Sequence, residues 1–187
     1  YETAESLAAR GERGVPAEQI LRDLRINRIF EGSTEIMHLL IAREAVDTHL
    51  AVAGDIIDPE ADPRSKARAA AKAGKFYARW LPTLVTGKGQ LPTSFTEFGP
   101  LAGHLRYVER AGRRLARSTF YAMSRWQGKL EHKQRFLGRI VDIGAELFAM
   151  TAACVRAQRD RADATAVELA EPFCPQVRGR AGRRFDQ

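Results

Sequence analysis

An all-α fold, an antiparallel bundle of long helices, is what this 187-residue sequence predicts. Three observations carry that prediction. Apolar residues recur at helical spacing along most of the chain, and no alternating run of strand type reaches useful length. Glycine and proline punctuate the ends of those segments, so the connections are short and neighbouring helices run antiparallel. Apolar residues make up 44% of the chain, enough for a core and too many for disorder.

Taken in order, residues 2–10 are Ala-rich and helix-prone, and Gly11 and Gly14 end them. Pro16 suits the first turn of a second helix over 17–25. That helix carries Ile20, Leu21 and Leu24 on one face and reaches Arg28 or Ile29 if it runs on. Gly32 breaks the run, and Ser33 or Thr34 can cap a helix over 35–52. Its stripe of Ile36, Leu39, Leu40, Ala42 or Arg43, and Val46 is apolar enough to be mostly buried. Residues 54–63 hold two prolines and four acids and read as a loop and a boundary. Asp62 then caps a helix with Pro63 at its first position, running to about residue 85 unless Pro82 kinks or ends it. Residues 88–99 form a connector. Long helices follow over 100–127 and 130–160, and a last one over 162–178 is interrupted at Pro172 and Pro175. The division expected is 1–53, a linker 54–61, and a separate helical bundle 62–187.

The formal net charge is +7. Basic residues alternate with Asp and Glu along most of the chain, and only 178–184 is a local basic run. No zinc-finger, basic-zipper or RNA-recognition pattern accompanies it, so nucleic acid is not an expected partner. Cys154 and Cys174 have no histidine at ligand spacing, which predicts buried free thiols in a reducing compartment and no metal site. His38, His49, His104 and His132 are scattered and form no nucleophile–base–acid set. The sequence shows no signal peptide and no apolar run of about 18 residues. It opens at Tyr1 without an initiator methionine and reads as part of a longer soluble protein.

The chemistry lies in Arg22-Asp-Leu-Arg-Ile-Asn-Arg-Ile-Phe-Glu-Gly-Ser-Thr-Glu-Ile-Met37. A base that removes a proton next to a carbonyl needs a pKa drawn towards neutrality by partial burial. Ile29 and Phe30 can wall Glu31 with apolar surface, and Gly32 lets a ligand approach the backbone. N–H groups at the next helix start can donate to an oxyanion or a phosphate. The same helix end favours an ionised carboxylate. On spacing alone Glu31 equally suits a surface turn between helices. Arg22, Arg25 and Arg28 can face a phosphate or lie on a salt-bridged helix face. Trp80 and Trp126 read as packing residues.

This stretch closely resembles the C-terminal signature of acyl-CoA dehydrogenases, and the resemblance runs from Tyr1 to about Leu50. Arg25, Phe30 and Glu31-Gly32 look most like the very-long-chain branch, whose members carry an extra helical domain; residues 62–187 match that domain by length and helicity. The resemblance implies that Glu31 is the catalytic base, taking the α-proton of an acyl-CoA thioester while the β-hydrogen leaves as hydride to FAD. It implies that the Glu31 N–H donates to the thioester oxygen, that Gly32 touches substrate, and that Ser33, Thr34 and Glu35 approach the adenosine part of FAD. The family usually has Thr where Ser33 stands and Ser or Asn where Thr34 stands, so a hydroxyl survives at both. Implied partners are an acyl-CoA, electron-transfer flavoprotein as acceptor, and further copies of the chain. The implied location is cytoplasmic, or peripheral to the inner membrane.

A second reading is a non-catalytic helical module for oligomerisation or membrane docking. Residues 64–80 support it, with six Lys or Arg among alanines and Phe76, Tyr77 and Trp80 close by. The same residues also suit an ordinary amphipathic bundle helix.

Overall fold

The computed structural model describes residues 3–30, 32–161 and 164–187. Among them are seven α-helices and no strand, as the apolar spacing predicts. The helices are α1 (Ala4–Ala9), α2 (Ala17–Phe30), α3 (Thr34–Ile57), α4 (Pro63–Trp80), α5 (Ala102–Trp126), α6 (Gln134–Arg159) and α7 (Ala164–Phe185). No helix among the described residues is long and apolar enough to cross a membrane. By internal packing the chain divides into two units, Tyr1–Leu40 and Ile41–Gln187.

In the first unit Thr3 caps α1, its hydroxyl accepting from the Ser6 N–H at 3.2 Å. Gly11, at φ +78°, follows the end of α1. Gly14 passes so near α1 that a Cβ there would lie 2.7 Å from the Ala4 carbonyl oxygen. The Ile20 N–H bonds back to the Pro16 carbonyl at 2.9 Å, so proline stands at the head of α2 where its missing N–H costs nothing. The helix runs on past residue 25 to Phe30. The stripe expected to be mostly buried is instead open at its start: Ile36, Leu39 and Leu40 are exposed, Ile36 by 62%. Apolar spacing specifies a face that wants cover, and the described residues do not cover it.

In the second unit the core lies between α5, α6 and α7. Leu101, Leu105, Met150, Cys154, Ala157, Ala170, Cys174 and Val177 form its main cluster. Cys154 faces Cys174, and Glu146 meets Arg180 and Arg184, a register that runs α6 and α7 antiparallel. A second cluster joins Ala42 of α3 to Ala122, Leu130, Leu137 and Val141. Asp62 caps α4 through the N–H groups of Arg64 and Ser65, at 2.7 and 3.0 Å. α4 stops at Trp80, and a 3₁₀ turn, Leu81–Leu84, carries Pro82, which fits the proline's missing donor.

Two local expectations are corrected. α3 continues through Gly54 to Ile57, so the loop begins four residues later than its glycine suggests. α7 continues unbroken through Pro172 and Pro175. Both prolines are exposed, while Cys174, Val177 and Ala181 on the other face are fully buried against the bundle. That burial outweighs the two lost backbone hydrogen bonds.

A row of arginines on one face of α5 holds the connector 88–99 and the 3₁₀ turn before it. Arg106 Nη1 donates to the carbonyls of Pro92 and Ser94 at 3.0 and 2.8 Å, and Arg110 Nη1 to that of Gly89 at 2.7 Å. Arg113 Nε donates to the Thr83 carbonyl at 2.9 Å, and Arg117 reaches Leu84. The spacing of three and four residues is what one helix face requires.

Candidate functional site

The 22–37 motif is built from the end of α2, a break, and the start of α3. Gly32 makes the break at φ +104°, a conformation that disfavours any side chain. Among the described residues a Cβ there would meet only the Met37 side chain, with Sδ at 3.5 Å and Cγ at 3.7 Å, so it is the backbone conformation that favours glycine. Ser33 caps α3: its Oγ accepts from the Ile36 N–H at 3.4 Å and its carbonyl from the Met37 N–H at 3.0 Å. Of the two cap candidates, Ser33 is therefore the one used. Thr34 is half-buried in the first turn, and Glu35 beside it is exposed. Glu31, the expected base, lies outside the described residues. Ile29 and Phe30, its expected apolar wall, are 76% and 81% exposed.

The start of α3 is a place that suits an anion. The first N–H groups of α3 have no intrahelical acceptor, the Ser33 and Thr34 hydroxyls lie beside them, and the helix dipole favours an anion there. On α2, Arg22 pairs with Glu18 at 2.7 Å and with the Gln19 side-chain oxygen at 3.1 Å. For Arg22 the salt-bridged helix face is thus what forms.

Other residues singled out from the sequence fall into place. Trp126 packs edge-on against Phe136 at 5.0 Å. Trp80 sits among His49, Phe76, Tyr77 and Phe120. Both are packing residues. Cys154 and Cys174 are free and buried, with sulfurs 3.7 Å apart. Burial pushes both thiols up, Cys154 to about 12. No group of acids, histidines and cysteines among the described residues could hold a metal ion.

Sequence reading missed the polar centre of the second unit. His49 Nδ1 lies 3.1 Å from the Tyr77 hydroxyl, inside a ring of aromatic side chains. The partners are 28 residues apart on different helices, and no spacing rule links them.

Residues 4–46 match the family model described as the acyl-CoA dehydrogenase C-terminal domain. The kinship read from the 22–37 motif is thus matched by the family model over residues 4–46, and the likeness extends over the rest of the chain. Over its whole length it is 68% identical to "Probable acyl-CoA dehydrogenase FadE10" of Mycobacterium bovis, and equally so to the proteins of that name from two strains of Mycobacterium tuberculosis. The alignment takes in all of this chain and 29% of each relative's length. The identity therefore continues past residue 46 into the bundle that the domain model does not reach. No solved structure matches the chain.

Proposed function

We propose that the protein of which this chain is part is a flavin-dependent acyl-CoA dehydrogenase in which Glu31 is the base. The observation that carries this is the junction itself. A helix ends on Ile29-Phe30, a glycine at φ +104° turns the chain, and Ser33 opens the next helix by capping the Ile36 N–H. Within the 22–37 motif, position 31 falls at that junction.

In this reading the Glu31 carboxylate takes the α-proton of the acyl-CoA thioester. Its backbone N–H donates to the thioester oxygen, which stabilises charge developing there. Gly32 leaves room for the substrate. Ser33, Thr34 and Glu35 hold the adenosine end of FAD with hydroxyls and the first donors of α3. FAD, when bound, supplies the acceptor for the β-hydrogen leaving as hydride. Residues 1–53 close the dehydrogenase's helical domain, 54–61 link it onward, and 62–187 form the added bundle. Electron-transfer flavoprotein as acceptor, assembly of several copies, and a cytoplasmic setting belong to the same proposal. The 187-residue chain alone is inactive, since two or three hydrogen bonds at about 1 kcal/mol each fall short of an association cost of roughly 4–15 kcal/mol.

The test is Glu31→Gln in the full-length protein loaded with FAD. The amide is nearly isosteric and cannot accept the proton. Flavin content and acyl-CoA binding should persist, while bleaching of the flavin absorbance by substrate should fall by about a hundredfold or more. Rapid bleaching by the variant would assign the base elsewhere.

A further inference from the structure

Beside α4 runs an open groove of about 500 Å³. Its floor is apolar, made by Val52, Phe76 and Trp80, and its rim carries Lys72, Lys75 and Arg79. No carboxylate lines it. The spacing 72, 75, 76, 79, 80 is one helical face, so the sequence of α4 alone sets cations beside aromatic surface. α4 contains six Lys or Arg and no Asp or Glu. Lys72 is committed, donating to the Ala51 carbonyl at 2.9 Å. Lys75 and Arg79 are exposed and form no ion pair with a described residue. Arg110, Arg113, Arg180 and Arg184, by contrast, are spent on backbone carbonyls or on carboxylates. In this groove two unneutralised cations lie beside an apolar floor.

The floor is held in place. Trp80 meets His49 edge-on at 4.7 Å and Phe120 at 5.3 Å, and lies nearly parallel to Phe76 at 6.3 Å. The tryptophan is half-buried, so one side is packed and the other is left to the groove. A ligand meeting it need not order the site first. The volume is in the range of small-molecule sites.

We propose that this groove binds an amphipathic anion, an alkyl chain ending in a phosphate or carboxylate. The chain lies on Val52, Phe76 and Trp80, and the head is held by Lys75 and Arg79. Both halves are required by the lining: a bare anion leaves the apolar floor wet, and an uncharged chain leaves the two cations unpaired. Such a ligand can come free from solution or as the head and first carbons of a membrane lipid.

The test uses the 187-residue chain with Trp126→Phe, which leaves Trp80 as the only tryptophan. Dodecyl phosphate below its critical micelle concentration should change Trp80 emission saturably. Lys75→Gln with Arg79→Gln, both exposed and outside the core, should weaken binding about fivefold or more. Butyl phosphate should bind more than about tenfold more weakly, since each buried methylene contributes about fourfold. Calorimetry on the unmodified chain checks the same affinities. Sedimentation with phosphatidylcholine vesicles, with and without phosphatidylglycerol, separates the sources. Monomer binding without vesicle binding assigns a free ligand, and vesicle binding that the double variant abolishes assigns a lipid head. Equal binding of dodecyl maltoside, an unchanged affinity in the double variant, vesicle binding that ignores it, or no saturation by either probe overturns the proposal.

Discussion

His49 and Tyr77 pair ring to ring and atom to atom. The rings stack with planes 7° apart and centroids at 5.8 Å, while Nδ1 sits 3.1 Å from the phenol oxygen. Burial lowers the pKa of His49 and raises that of Tyr77, so each side chain is held neutral by the same cause. The bond is one between uncharged groups across α3 and α4. It satisfies the polar atom of a histidine only 9% exposed.

The first prediction is a pH dependence. A histidine whose folded pKa lies below 6.5 adds stability that is complete above about 6.5 and is lost as pH falls through the folded value. His104 shifts the same way, chiefly by burial and then by the Arg178 charge, with Glu171 opposing. Urea unfolding at pH 7.5, 6 and 5 should show a falling midpoint. His49→Phe should flatten that slope in part, leaving the share of His104. An identical slope in variant and parent would remove His49 from the account.

A second titration belongs to lower pH. Glu146 Oε1 accepts from Arg180 Nε at 2.8 Å and Arg184 Nη1 at 2.9 Å, tying α6 to α7. The Arg180 hydrogen bond, above all, holds the Glu146 carboxyl below its ordinary value. Its stabilisation is therefore present above about 4.5 and lost as pH falls through the folded pKa. Glu146→Gln should lower the urea midpoint at pH 7 and leave it less sensitive to acid below 4.5. A variant as acid-sensitive as the parent would place that titration on other carboxylates.

The two thiols should be silent in the native state. Their sulfurs lie fully buried, and burial raises Cys154 to about 12, so the reactive thiolate is scarce at pH 8. Ellman's reagent should find almost no thiol within minutes in buffer and two in denaturant. Fast labelling of both in buffer would mean that the α6–α7 seam opens readily. Met150→Ala in the same cluster should cost about 2–5 kcal/mol, read as a lower thermal midpoint.

What the sequence made legible follows the range of each interaction. Caps at Ser33 and Asp62, the breaks at Gly11 and Gly32, and the end of α4 before Pro82 are set by neighbours within four residues. The prolines of α7 misled because their effect is local, while the burial of Cys174 and Val177 that overrides it is not. Gly54 misled in the same way. The open Ile36 stripe shows the reverse case, a pattern that states which face seeks cover and says nothing of what covers it. In the candidate site, Gly32 and Ser33 could be read because helix ends are written in single residues. The groove beside α4 was half legible: its cations and aromatics share a period, but Val52 comes from another helix.

The last prediction concerns Gly89, where the connector touches α5. A Cβ at this position would stand 2.4 Å from Glu109 Cβ and 2.8 Å from the Arg106 carbonyl oxygen, both parts of a packed helix that cannot yield cheaply. The contact exists because Arg110 draws the Gly89 carbonyl to 2.7 Å. Gly89→Ala should push the connector off α5 and cost about 1–3 kcal/mol, as overpacking does. Arg110→Ala should cost less, about 1 kcal/mol, because it removes one hydrogen bond and adds no clash. Limited proteolysis should cut within 86–94 in both variants before it cuts α5, α6 or α7, and faster in Gly89→Ala. If both variants resist the protease as the parent does, the arginine row is not what holds the connector down.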